Sequence, residues 1–326
     1  MEEDQAHIGR FPVVREIGRG AFATVYLARD QVFDRQVAIK LLTTVRDSTD
    51  VQRFRDEARH LGQFSYPHIV SVFDWGEHAG APFIVMEYMA GGTIVDLAGG
   101  GDEARARAVV GDALAGLVAI HAKGRVHRDL KPQNLLVAED GVTVKIADFG
   151  LARILRSAHL TQPGVAPGSP RYMAPEQAEF GADVGPRADL YAVGAIALEL
   201  LVGTVPFENA DDAVMLGDRI RRDPPPIGNL APQVDPQFAA WIDWLIRRWP
   251  DDRPADADQA LRALRGSTAP PPPRPTLGRA ARRPLPLLVA LAVIAVAVIT
   301  GTIWLLPLAA LAYACLVAIP LLDAQG

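Results

Sequence analysis

The sequence holds one cysteine in 326 residues, Cys315. A single thiol excludes a disulfide within the chain and any site built from several thiolates. Cys315 lies in an apolar run and reads as a small hydrophobic residue. Charge is missing altogether between Leu285 and Leu322. Basic residues do not predominate elsewhere. With the four arginines and one aspartate beyond Gly266 set aside, the 33 basic and 38 acidic residues become 29 and 37, a net charge of −8. A mildly acidic body of this kind argues against nucleic acid as the main partner. Met1–Arg10 lacks a basic-then-apolar leader, so the region that follows is expected in the cytosol. No internal repeat is visible.

Three zones separate by composition. Residues 11–265 read as one globular region of strands and helices. Residues 266–284 carry the run Pro270–Pro273 and four arginines without an apolar period, the composition of an extended linker. Beyond them the chain is membrane-like. In the first zone, β-rich runs come early, at Phe11–Ile17, Val25–Arg29, Val37–Leu42, Ile69–Trp75 and Phe83–Tyr88. One helical pattern interrupts them, at Val51–Phe64. Helical patterns prevail later, at Ala104–Lys123, Ala188–Val202, Pro236–Arg248 and Ala255–Leu264. Strands first and helices later predict an α+β fold of two unlike lobes, about 11–88 and 89–265, not an alternating parallel sheet.

Ile17-Gly18-Arg19-Gly20-Ala21-Phe22-Ala23-Thr24-Val25 lies between two predicted strands. Such glycines serve an ordinary turn, or let a hairpin backbone approach a phosphate. No helix follows, which excludes a dinucleotide fingerprint. Val37-Ala38-Ile39-Lys40 comes next, its lysine either a solvated strand end or a phosphate ligand. Glu57 shares the inward stripe of Val51, Phe54, Ala58 and Leu61. An inward acid needs a cation, and Lys40 is the available one.

His127-Arg128-Asp129-Leu130-Lys131-Pro132-Gln133-Asn134 is followed by Asp148-Phe149-Gly150. Phosphoryl transfer needs a carboxylate near the acceptor hydroxyl and oxygen ligands for Mg²⁺ on the nucleotide phosphates. Asp129 suits the first task, and Asn134 and Asp148 the second. Lys131 can offset charge on the moving group.

This ordered set resembles the signature of eukaryotic-type (Hanks-type) serine/threonine protein kinases, and the chain is most similar to their membrane-anchored bacterial members. The resemblance spans Phe11–Leu264. It implies the bilobal protein-kinase fold, a small β-rich N-lobe with one helix and a larger helical C-lobe. It implies ATP with Mg²⁺ or Mn²⁺ as cofactors and proteins as substrates. Ile17–Val25 would cover the phosphates, with Ala38, Met86, Glu87 and Met89 around the adenine. Lys40 would contact the phosphates while pairing with Glu57. Asp129 and Lys131 would act in transfer, and Asn134 and Asp148 would hold the metal. Phe149 would pack to set the active state, Glu176 would pair with Arg253, and Asp189 would anchor the catalytic loop. Ala23 replaces the third glycine of the loop, a change expected to matter little.

Lys131 resembles the serine/threonine class, and Ser169 stands where that class has threonine near the substrate. Arg128 before the catalytic aspartate implies a phosphate on the activation segment, with Thr161 the expected autophosphorylation site.

Leu285–Leu306 gives about 22 residues, roughly 33 Å as a helix, enough to span hydrocarbon. Arg274, Arg279, Arg282 and Arg283 precede it and no Lys or Arg follows, which predicts a cytoplasmic kinase domain, and the resemblance to bacterial members implies a bacterial inner membrane. The same arginines are expected to meet anionic lipid heads. Leu308–Leu322 stays open between a second short pass and a partly embedded end. A homodimer through the kinase domain or the membrane helix also stays open.

Overall fold

The computed structural model describes residues 6–20, 23–43, 62, 66–148, 170–178, 184–267 and 270–271. The chain divides into two compact units, Met1–Pro271 and Pro272–Gly326. The second unit lies outside the described residues, and with it Leu285–Leu306 and Leu308–Leu322. No helix among the described residues is long and apolar enough to cross a membrane.

Six strands come first: β1 (His7–Ile8), β2 (Phe11–Arg19), β3 (Ala23–Asp30), β4 (Arg35–Leu42), β5 (Val72–His78) and β6 (Ala81–Glu87). They form one antiparallel sheet in the order β1-β2-β3-β4-β6-β5. Side chains alternate across a strand, and β4 shows the consequence. Val37 and Ile39, both fully buried, join Ile8, Phe11, Ala28, Phe83 and Val85 in an apolar cluster. Phe11 and Phe83 meet there edge to face, with ring centroids 6.4 Å apart. Burying a large apolar side chain contributes about 1.5–3 kcal/mol, and a one-residue slip would forfeit the whole set. By the same alternation Ala38 and Lys40 fall on the other face. The register then sets Lys40 opposite Val25 of β3, and Ala38 opposite Met86 of β6.

Helices dominate after Gly92. Helix α1 (Glu103–Ala122) starts at Asp102, whose carboxylate accepts from the Arg105 N–H at 2.9 Å. It buries Ala106, Val109, Val110, Ala113, Leu114, Leu117 and Ile120, a stripe of helical period. The two-stranded pair β7 (Leu135–Val137) and β8 (Val144–Ile146) follows. Then come α2 (Pro175–Ala178), α3 (Arg187–Val202), α4 (Asp212–Arg221), α5 (Ile227–Leu230), α6 (Pro236–Leu245) and α7 (Ala257–Leu264). Every residue of α3 from Ala188 to Leu201 is buried, which makes it the central helix of this part. A β-rich first part and a helical second part agree with the two-lobed α+β expectation.

Among the boundaries that differ from the sequence expectations, three have a visible cause. The strand expected from Ile69 begins at Val72. Ile69 instead bridges Ile146 in parallel, and the Val70 N–H donates to the Ile146 carbonyl at 2.9 Å. Gly116 of α1 permits this close passage, since a Cβ there would lie 2.6 Å from the His68 carbonyl. Helix α6 stops at Leu245. The carbonyls of Arg247 and Arg248 are taken by the Arg253 guanidinium instead of a further turn. Helix α7 starts at Ala257 because Asp256 caps it, accepting from the Gln259 N–H at 2.7 Å. The helix expected at Val51–Phe64 lies, Gly62 apart, outside the described residues.

Candidate active site

The glycine-bearing stretch is the β2–β3 hairpin. Gly18 pairs with Val25 and Arg19 with Thr24, and the Gly20 N–H donates to the Ala23 carbonyl at 2.9 Å. Ala21 and Phe22 lie outside the described residues. The Arg19 side chain turns outward to Glu16, at 2.6 Å. Beneath the hairpin, Ile17 and Val25 pack with Ala38, Val70, Met86, Met89, Leu136 and Ala147. This cluster joins the sheet to the β7–β8 region and offers apolar surface from both sides, as a flat aromatic base requires.

Lys40 shares the strand face of Ala38. Its Nζ lies 2.7 Å from Asp148 Oδ2. Burial raises a carboxyl pKa, but here the Lys40 charge and hydrogen bond, aided by the Lys131 charge, outweigh it. Asp148 is therefore held below the usual carboxylate range. Its backbone takes a φ of 60°, uncommon for a residue other than glycine. Glu57, the expected partner of Lys40, lies outside the described residues, as do Phe149, Thr161 and Ser169.

The loop carrying Asp129 is held from α3 by Asp189, which is 1% exposed. Asp189 Oδ2 accepts the His127 N–H at 2.8 Å and meets His121 Nε2 at 2.8 Å. Its Oδ1 accepts the Arg128 N–H at 2.8 Å. Arg128 consequently sits at φ 65°, a strained position fixed by its surroundings. His127 Nδ1 accepts the Asp129 N–H at 3.2 Å, and Nε2 faces the Ala147 carbonyl at 3.1 Å. That pattern assigns the Nε2–H tautomer. His127 thus ties the backbone of Asp129 to the residue before Asp148. Asn134 Nδ2 donates to the Asp129 carbonyl at 2.8 Å, which leaves Oδ1 as the acceptor of that amide. Lys131 Nζ lies 3.4 Å from Asp129 Oδ2, and its charge also reaches Asp148.

Lys40, Asp129, Lys131, Asn134 and Asp148 are therefore assembled from β4, the loop before β7 and the segment after β8. Among the described residues no group of three or more His, Cys, Asp or Glu side chains forms a metal cage. Asn134 and Asp148 instead offer one amide and one carboxylate oxygen, a set suited to a hard cation that shares its shell with phosphates.

Around this centre, Glu176 receives two hydrogen bonds from Arg253, at 2.7 and 2.8 Å. The Arg128 guanidinium donates to the Val184 carbonyl at 3.1 Å. Two features escaped the sequence reading. Lys145 of β8 reaches Glu87 Oε1 at 2.6 Å, while the Glu87 N–H donates to the Ser71 carbonyl at 2.9 Å. Strand alternation was a usable signal, since Val144 and Ile146 are buried and Lys145 must face the other way. Glu199 of α3 accepts from the Tyr172 hydroxyl at 2.8 Å and from Arg171 Nε at 3.0 Å. An acid inside the apolar run Ala188–Val202 was its usable signal.

A model of the protein kinase domain matches residues 11–264, and the chain belongs to that family. It is similar to the probable serine/threonine-protein kinase pknA2 of Bifidobacterium longum, 38% identical over 264 residues, 78% of this chain and 35% of that one. The serine/threonine-protein kinase PknL of Mycobacterium tuberculosis is 38% identical over 253 residues, 76% of this chain and 63% of the relative. The probable serine/threonine-protein kinase PknB of Lactococcus lactis is 38% identical over 233 residues, 69% and 36% respectively. The matched region thus spans about one third to just under two thirds of these relatives.

Proposed function

We propose that this chain is an ATP-dependent serine/threonine protein kinase. The observation that carries the reading is the 2.7 Å pairing of Lys40 with Asp148, close to the Asp129–Lys131 pair. Phosphoryl transfer is mostly a matter of positioning and charge compensation, and these residues divide the tasks. Asp129 orients the acceptor hydroxyl and takes its proton. Lys131 stabilises the equatorial oxygens as charge develops. Lys40 contacts the nucleotide phosphates, and the apolar cluster of Ile17, Val25, Ala38, Met86 and Met89 receives the adenine. Asn134 and Asp148 would hold Mg²⁺, which when bound neutralises phosphate charge.

Incubating the full chain with γ-labelled ATP, Mg²⁺ and a degenerate peptide library with a fixed central Ser or Thr tests the reading. Label on phosphoserine or phosphothreonine is expected. Nucleotide binding without transfer to any acceptor would overturn it.

Two finer elements belong to the same reading. Thr161 is autophosphorylated and docks on Arg128, a charge-assisted pairing. Mass spectrometry finding Thr161 unmodified in fully active protein would remove that element. Residues 285–306 anchor the chain in a membrane with the kinase region on the cytoplasmic side. The uncharged run and the four arginines before it support this placement. Sedimentation with membranes that is unaffected by truncation after Pro284 would contradict it.

A further inference from the structure

Arg219 of α4 is 1% exposed. A guanidinium so placed would ordinarily take a carboxylate partner, because an unpaired buried cation is costly. The hydrogen bonds of this one run to main-chain carbonyls and a thioether. Nη1 donates to the carbonyls of Pro170 and Met173, at 2.7 and 3.0 Å. Nη2 donates to the Arg171 carbonyl at 2.6 Å and to Met215 Sδ at 3.4 Å. Nε donates to the Pro206 carbonyl at 3.1 Å. All five N–H groups are used.

Three of these carbonyls belong to residues 170–173, the stretch that directly follows Ser169 and leads into α2. Side chains of the same stretch are fixed independently, Tyr172 and Arg171 on Glu199. From there the brace continues to the catalytic loop. The Ala174 N–H donates to Gln177 Oε1 at 3.0 Å, and Gln177 Nε2 donates to the Arg128 carbonyl at 2.9 Å. Tyr172, Met173 and Gln177 also line a narrow crevice against Asp129. A backbone that Arg219 holds therefore lies beside Asp129, the residue assigned above to the acceptor hydroxyl.

We propose that Arg219 is a positioning residue for the acceptor substrate: it shapes the wall at residues 170–173 beside Asp129 and takes no part in nucleotide binding. This rests on the kinase reading above. Lysine, with three donors on a flexible stem, cannot reproduce five bonds in a planar fork.

The test compares wild-type full chain with Arg219→Met and Arg219→Lys, using the best peptide from the degenerate Ser/Thr library and a fluorescent ATP analogue. Arg219→Met is expected to raise the peptide KM about tenfold and leave nucleotide affinity within about twofold, with Arg219→Lys in between. A peptide KM within about twofold of wild type in Arg219→Met would overturn the proposal. So would a parallel loss of nucleotide affinity, the mark of a general fold defect. Should Arg219→Met fail to fold, Arg219→Lys decides by the same two readouts. Absence of transfer by the wild-type chain itself would instead sink the kinase reading, and this inference with it.

Discussion

Replacing Arg253 by methionine should destabilise the folded chain by several kcal/mol while leaving the catalytic side chains in place. The Arg253 side chain is 0% exposed and that of Glu176 10%. Besides its two bonds to Glu176, Arg253 donates to the carbonyls of Arg247, Arg187 and Arg248, at 2.7, 2.9 and 3.0 Å. Its guanidinium carbon lies 5.0 Å from the Tyr191 ring centroid. Methionine fills much of the volume but leaves a carboxylate buried without its cation. Removing one partner of a buried pair costs about 3–5 kcal/mol. Against a typical domain stability of about 5–15 kcal/mol, that is a large fraction. The double variant Arg253→Met/Glu176→Leu strands no charge and should lose less than Arg253→Met alone. Urea unfolding of the full chain, followed by tryptophan fluorescence, reads both. A loss below about 1 kcal/mol in Arg253→Met, or a double variant weaker than the single, would refute the reasoning.

Two further outcomes follow from other pairs. Glu87 and Lys145 link the end of β6 to β8 at the apolar cluster, so Lys145→Met should raise the ATP KM a few-fold with kcat nearly unchanged, and Glu87→Lys/Lys145→Glu should recover part of it; an unchanged ATP KM in steady-state kinetics would remove this pair from the nucleotide pocket. The Lys40–Asp148 pair predicts a pH dependence. The folded pKa of Asp148 lies below its unfolded value, so the pair's stabilisation is present above the unfolded pKa and fades as pH falls through the folded one. In Lys40→Met burial becomes the main influence and raises that pKa. Its stability deficit, about 1–3 kcal/mol near neutral pH once partial exposure is allowed for, should therefore shrink as pH falls toward 4. A deficit that stays flat or grows toward acid in thermal melts would contradict this.

Legibility in the sequence followed the range of the physics. Strands β2 to β4 were readable because alternation is local: Val37 and Ile39 face one cluster and Ala38 and Lys40 the other. Helices α1 and α3 were readable from dense apolar spacing. Helix α4 was missed because only Met215, Leu216 and Arg219 are buried on it, and an arginine among arginines carries no inward signal. Ile69 was misread as strand because its partner, Ile146, is remote in sequence. In the candidate site, Asp129, Lys131, Asn134 and Asp148 stand in a compact ordered pattern in the sequence, so they could be read as a group. Alternation with Val144 and Ile146 gave the facing of Lys145 but not its remote partner Glu87, and Arg219 bonds main-chain carbonyls that no neighbouring residue announces.

The most direct measurement compares wild-type chain with Asp129→Asn for phosphate transfer from γ-labelled ATP, with nucleotide affinity determined on the same preparations. Transfer should fall by at least about a hundredfold while affinity for the nucleotide stays within about twofold. Equal transfer by both proteins would contradict the assignment of Asp129 as the residue that handles the acceptor proton.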